Sequence, residues 1–433
     1  MPGCYLPDVT QLHLYHLDWM ITRPHDCFFD FLTLYSGVTE LHLFSCRFKH
    51  ASELRRLINA LPRLETLKLS AIDGSTLCDI PTTAVSRPTL KANQNLQEII
   101  LHDSTRDMGL STLMDSRVAI RNIIAFCTQY SSISRLTLKH GFLNSPACFL
   151  QLLRNLPPLS SLKVDGSFAY LDNSEWHGFQ LEQADIGALH RLTRRCFSTF
   201  SLERILTTPA LHLMKLISTP EACSQLVSLT VKHGDGTGPV AQLLQAVMDT
   251  LRLAGTALSE FIFVWDCDPD LLAGRILELD FTPNTSLGDV NLRLQMPPSP
   301  HMIERTLISI ISSITSPNLK LLQVTLDIAD IGASDSEAHQ PFNNDGDVSQ
   351  YKGSEALNAP RFHDLPSGRI DIRIWASGSV RTTGRPMIEV MVLVKSRLDK
   401  LFAPWFARNV LRVSYHPDLD TSGPTKNIHA HAD

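Results

Sequence analysis

The 433-residue chain is long enough to bury two or three ordinary cores or one extended core, and 43% of its residues are hydrophobic. Its net charge of -5 lacks the surplus of Lys and Arg that a general nucleic-acid binder needs to displace counterions. No apolar run approaches the ~20 residues that would span a bilayer. We therefore expect neither a nucleic-acid partner nor a membrane partner.

The cysteines indicate a compartment. Nine of them are scattered singly along the chain without a C-x-x-C pair, and the N-terminus lacks the basic and apolar segments of a secretory signal. An odd set of separated cysteines without a secretory route predicts reduced thiols and a cytoplasmic or nuclear protein.

One short template, L-x-x-L-x-L with any aliphatic residue or Phe at the three fixed positions, recurs along the chain. Successive copies are 26 to 37 residues apart, except for one interval of 67 residues. Such self-similarity is the sequence signature of a repeat protein. The central residues of the ten copies are Leu12, Leu41, Leu67, Ile99, Leu136, Leu162, Leu229, Phe261, Val290 and Leu322.

Each copy reads as one strand, since alternate residues of a strand face the same side and the last two template residues then point inward together. Apolar residues at three- and four-residue spacing predict helices at residues 51–60, 145–155, 239–253 and 302–314. One strand and one helix cannot close a core alone, so neighbouring repeats must stack. The pattern predicts a leucine-rich-repeat solenoid of the α/β class. It would be a curved horseshoe with one continuous parallel sheet and helices on the convex side.

An open doubly wound α/β domain also alternates strands and helices, but ten copies of one template argue against it.

The interval of 67 residues predicts one or two degenerate repeats between about 175 and 220, with candidate strands at 179–186 and 211–216. Cys46 extends one copy to L-x-x-L-x-L-x-x-C, the cysteine variant of the repeat.

The predicted organisation has four parts. Residues 1–328 hold the repeats, and residues 329–368 are polar and irregular, which predicts a loop or disorder. Residues 369–416 follow as a strand, a helix and a strand that cap the stack, and residues 417–433 as a disordered tail. The first strand begins close to Met1 and exposes a sheet edge, so either a preceding module is missing from this chain or a partner covers the edge.

The repeat stretches LPRLETLKLS, LPPLSSLKVDG and SPNLKLLQVTL, with the C-terminal KSRLDKLFAPWFARNVLRVSY, resemble the F-box/leucine-rich-repeat proteins of basidiomycete fungi. In that family an N-terminal F-box docks a Skp-type adaptor of a cullin ubiquitin ligase, and the repeats present the substrate. No F-box precedes the first repeat here, so the resemblance implies only the substrate-recognition half. A Skp-type adaptor is expected only if an F-box is missing from this chain. The alternative is a free-standing scaffold unrelated to ubiquitination.

The outward side of the strands is the candidate binding surface, because these side chains line the concave face of such a repeat. Five of them form a loosely basic central stretch that we expect to meet an acidic protein segment. They could also be solvated cations that keep the sheet soluble. The candidate partner-binding residues are Glu40, His42, Lys68, Glu98, His102, Arg135, Lys139, Lys163, Lys232 and Glu260, of which Lys68, Arg135, Lys139, Lys163 and Lys232 form the basic stretch.

Two other motifs have simpler explanations than a ligand site. The glycine-rich residues 234–238 have the spacing G-x-G-x-G, and Pro239 removes an amide that could have met a phosphate, so a flexible turn is favoured over a dinucleotide loop. Asp266, Asp268 and Asp270 could hold a hard cation, but Asp268 as the cap of a helix that begins at Pro269 is favoured.

Two further patterns lack the spacing of a metal site. Residues 343–347 do not match a calcium loop, and His13 and His16 have no acid or cysteine at ligand spacing beside them. No hydrolase, metalloprotease or nucleotide-binding motif occurs either. We expect no enzyme, no cofactor and no metal.

Overall fold

Two compact units make up the chain, Met1–Ala257 and Leu258–Asp433. The computed structural model describes residues 8–25, 27–70, 93–102, 126, 130–139, 159–166, 197–233, 239–265, 279–296, 300–329, 362, 369–377 and 387–417.

The first unit is built on eight strands that pair in parallel and in chain order. All six template copies that lie before the long interval form strands, and so does the copy after it within this unit. The strands are β1 (Gln11–Tyr15), β2 (Glu40–Phe44), β3 (Thr66–Ser70), β4 (Glu98–His102), β5 (Arg135–Lys139), β6 (Ser161–Asp165), β7 (Thr199–Ile205) and β8 (Ser228–His233).

The second unit repeats this arrangement with five parallel strands, again in chain order. The last two strands extend the parallel pairing beyond the final template copy. The strands are β9 (Glu260–Trp265), β10 (Asp289–Met296), β11 (Leu321–Ala329), β12 (Ile370–Ser377) and β13 (Leu411–Pro417). Both units therefore have the predicted α/β repeat fold with all-parallel strands.

Helices follow several strands, and three of the four predicted helices are confirmed by α2, α5 and α6. The fourth, at residues 145–155, lies outside the described residues. The described helices are α1 (Cys27–Leu32), α2 (Ala51–Asn59), α3 (Thr207–Ile217), α4 (Pro220–Cys223), α5 (Val240–Ala254), α6 (Pro300–Ser313), α7 (Met387–Leu401) and α8 (Ala403–Ala407).

Helix α2 shows how a repeat closes its core. Leu54, Leu57 and Ile58 are completely buried, as their helical spacing predicts. At the start of the helix the Glu53 carboxylate accepts hydrogen bonds from the backbone amides of Lys49 (2.9 Å) and His50 (3.3 Å). These bonds satisfy amides that have no partner within the helix.

The register aligns the inward residues of neighbouring strands into continuous rows. Leu41 pairs with Leu67 and Leu43 pairs with Leu69, and the four side chains are at most 3% exposed. Full burial of one leucine stabilises the fold by ~1.5–3 kcal/mol. The core is thus a ladder of matching aliphatic side chains behind the sheet.

A backbone fork recurs where strands begin. Two successive amides donate to a single carbonyl oxygen of the preceding repeat, as when the amides of Thr39 and Glu40 both bond to Thr10 O at 2.9 and 3.1 Å. Because the fork uses main-chain atoms only, it does not depend on the side chains at these positions, provided that the two donors are not proline. The accepting carbonyls belong to Thr10, Thr39, Glu65, Gln97, Ser134, Ser160 and Ser198 in the first unit and to Ser259 and Gly288 in the second.

Cys46, the residue of the cysteine variant, is completely buried beside the ends of β1 and β2. Its Sγ lies 3.4 Å from Phe44 O and 3.5 Å from Leu14 O, so the thiol bridges two repeats as a weak donor. Burial raises the pKa of Cys46 and raises that of the buried Cys223 to about 12, which keeps both as neutral thiols. Cys27, by contrast, is exposed, and all three are free cysteines.

One candidate strand is wrong. Residues 211–216 lie within helix α3, and the strand of this repeat is β7, twelve residues earlier. The apolar residues of α3 are buried on all sides of the helix. They therefore lack the one-sided spacing of an amphipathic helix, and the segment was mistaken for a strand. The other candidate, residues 179–186, lies outside the described residues, as do nearly all of 329–368 and all of the tail after residue 417.

Candidate functional site

The outward face of the first unit is the surface formed by the strand side chains that point away from the core. Parallel register arranges them in three rows across the eight strands. The first row is Gln11, Glu40, Thr66, Glu98, Arg135, Ser161, Thr199 and Ser228. The middle row is His13, His42, Lys68, Ile100, Thr137, Lys163, Ser201 and Thr230. The last row is Tyr15, Phe44, Ser70, His102, Lys139, Asp165, Glu203 and Lys232.

All but one of the predicted partner-binding residues lie on this outward face. Glu40, Glu98 and Arg135 occupy the first row, and His42, Lys68 and Lys163 the middle row. The last row holds His102, Lys139 and Lys232. The remaining residue, Glu260, occupies the corresponding position on β9 in the second unit. Their role in binding a partner stays a prediction.

The cations of the first half of the basic stretch are paired with acids on the same face. Lys68 on β3 forms an ion pair with Glu40 on β2. Arg135 on β5 lies 3.6 Å from Glu98 on β4. Both pairs join neighbouring repeats and are partly exposed, so each contributes no more than about 1 kcal/mol to stability. Their larger effect is to fix side chains and to reduce the positive potential of this half of the face.

In the other half of the face, one acid serves two lysines. Glu203 on β7 lies 2.9 Å from Lys163 Nζ on β6 and 3.4 Å from Lys232 Nζ on β8. Burial alone would raise the pKa of Glu203, but the hydrogen bonds and charges of the two lysines outweigh burial and hold its pKa below the ordinary value. Lys139 forms no ion pair with any acid in the described part of the chain.

Strand β7 carries a β-bulge next to Glu203. The register with β8 shifts between Glu203 and Ile205, and Arg204 between them has a φ of 53°. A bulge adds one residue to a strand and redirects its side chain. Arg204 thereby reaches the Asp165 carboxylate on β6, with Nη2 2.6 Å from Oδ2 and Nε 3.1 Å from Oδ1. Two nitrogens of the guanidinium thus bind the two oxygens of one carboxylate, which is the strongest type of ion pair on the face.

Close approach at the bulge requires a glycine directly after β6. The Gly166 amide donates to Glu203 O at 2.8 Å. A Cβ added to Gly166 would lie 2.8 Å from Arg204 O and 3.1 Å from Ile205 Cα, both backbone atoms. The bulge and the glycine are therefore parts of one arrangement.

An aromatic and histidine cluster occupies the β1–β2 end of the outward face: His13, Tyr15, His16, His42 and Phe44. The ring centroids of His13 and His42 are 5.3 Å apart, those of Tyr15 and Phe44 5.9 Å, and those of His16 and Phe44 5.8 Å. Tyr15 is 56% exposed even though it contacts these rings. Solvated aromatic side chains in mutual contact on a sheet face are an unusual surface that folding does not require.

Burial, His13 and Lys68 together lower the pKa of His42, and Glu40 opposes them only in part. His42 Nε2 also lies 3.0 Å from Ser70 Oγ. The imidazole of His42 is consequently neutral near pH 7.

Sequence reasoning missed Glu203 and Arg204 as parts of the face, because it did not locate β7. The signal for β7 was present, because Phe197, Phe200 and Leu202 fit the template when Phe is allowed at its fixed positions. The bulge had no sequence signal, since arginine is not a residue that favours positive φ.

The described residues contain no group of three or more His, Cys, Asp or Glu side chains placed to hold a metal ion. His13 and His16 both lie in the aromatic cluster. The glycine-rich residues 234–238, the Asp266, Asp268 and Asp270 group and residues 343–347 fall outside the described residues.

In the described part of the chain, no helix combines the length and the apolar character needed to cross a bilayer.

Parallel strands in chain order, matched aliphatic rows and a polar outward face define an α/β repeat protein of the solenoid class. Comparison with protein-family models and with curated proteins finds no match to the sequence.

Proposed function

We propose that the chain is a non-catalytic protein–protein interaction module that binds a protein partner on its outward face. We further propose that it acts as the substrate-recognition arm of an F-box-like protein of a fungal ubiquitin ligase. The resemblance of the repeat stretches and of the C-terminal segment to that family supports the second part. The first part rests on the aromatic and histidine cluster.

Exposed rings on a sheet face favour binding over mere solubility. A face that only had to stay in water would carry charged and hydroxyl side chains, as the middle of this face does. Tyr15 is instead 56% exposed on β1, beside the half-buried Phe44. Tyrosine and other aromatic residues dominate the binding energy of protein interfaces because they bury much area with few rotatable bonds.

The paired charges next to this cluster support the same proposal. Lys68 and Glu40 hold each other beside His42, so their positions are set before a partner arrives. Preset polar groups around an aromatic centre resemble the rim of an interface, where they select partners more than they add affinity. The two features together form a hydrophobic centre with an ordered polar border.

Proximity labelling in the native organism tests the proposal. The comparison is between the wild-type chain and the double variant Tyr15→Ser, His13→Ser, which removes exposed rings without touching the core. We expect the proteins labelled most strongly by the wild type to fall several-fold in the variant. Ile21→Ser is the matched control, because Ile21 is 82% exposed and does not belong to a strand.

An identical set of labelled proteins for wild type and double variant would contradict binding through the outward face. The ligase link is read separately, from whether a Skp-type adaptor co-purifies with the native gene product. Labelling that depends on Tyr15 without any such adaptor favours the free-standing scaffold instead.

A further inference from the structure

The β7 bulge lies at the centre of the most positively charged part of the outward face. We call Lys139, Lys163, Arg204 and Lys232, together with Asp165 and Glu203, the bulge cluster. Its members lie on four neighbouring strands, β5 to β8, and its cations outnumber its acids by two. This surplus stands out in a chain whose net charge is -5.

The two acids of the bulge cluster are not equivalent. Asp165 is 5% exposed at its side chain and is engaged by both arms of the Arg204 guanidinium, so it is fully committed. Glu203 is shared between Lys163 and Lys232, whose side chains are each 38% exposed. Lys139 pairs with no acid in the described residues, so Glu203 is the only carboxylate there that pairs with a lysine of the bulge cluster. The surplus charge therefore sits on solvent-facing ammonium groups.

The spacing of these groups suits an extended chain. The last-row positions of Lys139, Asp165, Glu203 and Lys232 are partners in successive strand pairs. Neighbouring strands are ~4.8 Å apart, so the row spans ~14 Å. An extended segment places alternate side chains on one side at intervals of ~7 Å. Acidic residues four positions apart in such a segment are ~14 Å apart and would thus meet Lys139 and Lys232 at the two ends of the row.

We propose that the bulge cluster binds an extended protein segment with acidic residues at alternate positions, whose carboxylates accept the hydrogen bonds that the lysines now donate to Glu203. Glu203 acts as an internal competitor that keeps the lysines in place in the unbound protein. The inference deepens the proposed function and rests on it, since it names the chemistry of the partner and the strands it contacts.

Fluorescence polarisation with labelled peptides of about eight residues tests the proposal. One peptide alternates Glu and Ser, and its matched partner has Gln in place of every Glu. We expect only the acidic peptide to bind the full chain, with an affinity that falls as salt is added. Glu203→Gln should tighten binding and Lys139→Gln should weaken it, each by about threefold or more.

Two features make the variants interpretable. Neither substitution leaves a buried charge without its partner, because Lys139 lacks an ion pair in the described residues and the lysines released from Glu203 are exposed. Lys215→Gln is the matched control, since it removes the same charge from the exposed side of α3 in the same repeat as β7. It should bind the acidic peptide as the wild type does.

Equal binding by wild type, Glu203→Gln and Lys139→Gln would overturn the assignment of the bulge cluster. Competition by a single-stranded oligonucleotide as strong as that by the acidic peptide would overturn it too, because the face would then attract any polyanion. Absence of peptide binding refutes this inference alone if Tyr15-dependent labelling persists. Loss of that labelling effect refutes the proposed function itself.

Discussion

His233 at the end of β8 is a titratable side chain inside the core. It is 2% exposed, and its Nε2 lies 2.9 Å from Thr207 Oγ1 at the start of α3. Burial lowers the pKa of His233 to about 4 from the ordinary value of 6.5. The imidazole therefore stays neutral in the folded chain above about pH 4.

This histidine should make the fold acid-sensitive. As pH falls through 6.5, His233 becomes protonated in the unfolded chain, whereas in the folded chain it stays neutral until about pH 4. The free energy of unfolding then decreases across this window, by roughly 3 kcal/mol in total. His233→Gln removes the titrating group, so its free energy of unfolding, measured by urea titration between pH 7 and pH 4, should fall less steeply than that of the wild type.

His301→Gln serves as the control for this measurement. His301 is exposed on α6, and its replacement should leave the wild-type slope unchanged. A His233→Gln variant with the same pH dependence as the wild type would show that His233 is not the source of the acid sensitivity.

The inward or outward direction of single residues could be predicted from sequence, whereas their ion pairs could not. The period of two places Lys68 and Arg135 on the outward face in every parallel arrangement of the template. Their partners Glu40 and Glu98 lie 28 and 37 residues away, so the pairing depends on the register between repeats. The double role of Glu203 required β7 to be located first.

At the scale of elements, the β7 bulge depends on the glycine opposite it. A methyl group at Gly166 would press on Arg204 O and Ile205 Cα, which are backbone atoms that cannot rotate away. Gly166→Ala should lower the free energy of unfolding by about 1–3 kcal/mol and shift Arg204 away from Asp165. Urea unfolding measures the first effect, and a crystal structure of the variant measures the second.

Gly288 provides the comparison in the second unit. A Cβ there meets its nearest atom, Ser259 O, at 3.6 Å, which is an ordinary contact. Gly288→Ala should leave the stability nearly unchanged or raise it slightly, because alanine restricts the unfolded chain. If the two alanine variants unfold at the same urea concentration, close packing at the bulge is not what selects glycine at residue 166.

Elements with a regular template were predictable, and those that departed from it were not. All ten template copies form strands, because in each copy the last two apolar template residues are separated by one residue, as the period of a strand requires. Strand β7 also fits the template, with Phe197 and Phe200 at two of its fixed positions, so the sequence held the signal for it. In α3, Leu211, Leu213 and Leu216 gave a mixed period that single-sequence reasoning could not assign to a helix.

At the scale of the whole molecule, stacked repeats should respond locally to damage in the core. Leu67 is completely buried in the inward row of β3. Leu67→Ala should cost ~2–5 kcal/mol through lost burial and a cavity. Because each repeat contacts mainly its neighbours, amide hydrogen exchange should accelerate most in β2 to β4 and least in β8 of the same unit.

Val227→Ala is the control, because it also shortens an aliphatic side chain but does so outside the core, where Val227 is 45% exposed. It should change the free energy of unfolding by no more than about 0.5 kcal/mol. Uniform acceleration of exchange over the whole first unit in Leu67→Ala would show that this unit opens as one cooperative body.

Because of the backbone fork, the alignment of neighbouring strands does not depend on the length of the chain segment between them. Between successive accepting carbonyls of the first unit the chain varies from 26 residues (Thr39 to Glu65) to 38 residues (Ser160 to Ser198), yet every fork joins the same relative positions. Segments between forks can therefore lengthen, shorten or diverge while the strands stay in step. Such a protein can acquire new recognition loops by insertion, with no compensating change in its sheet.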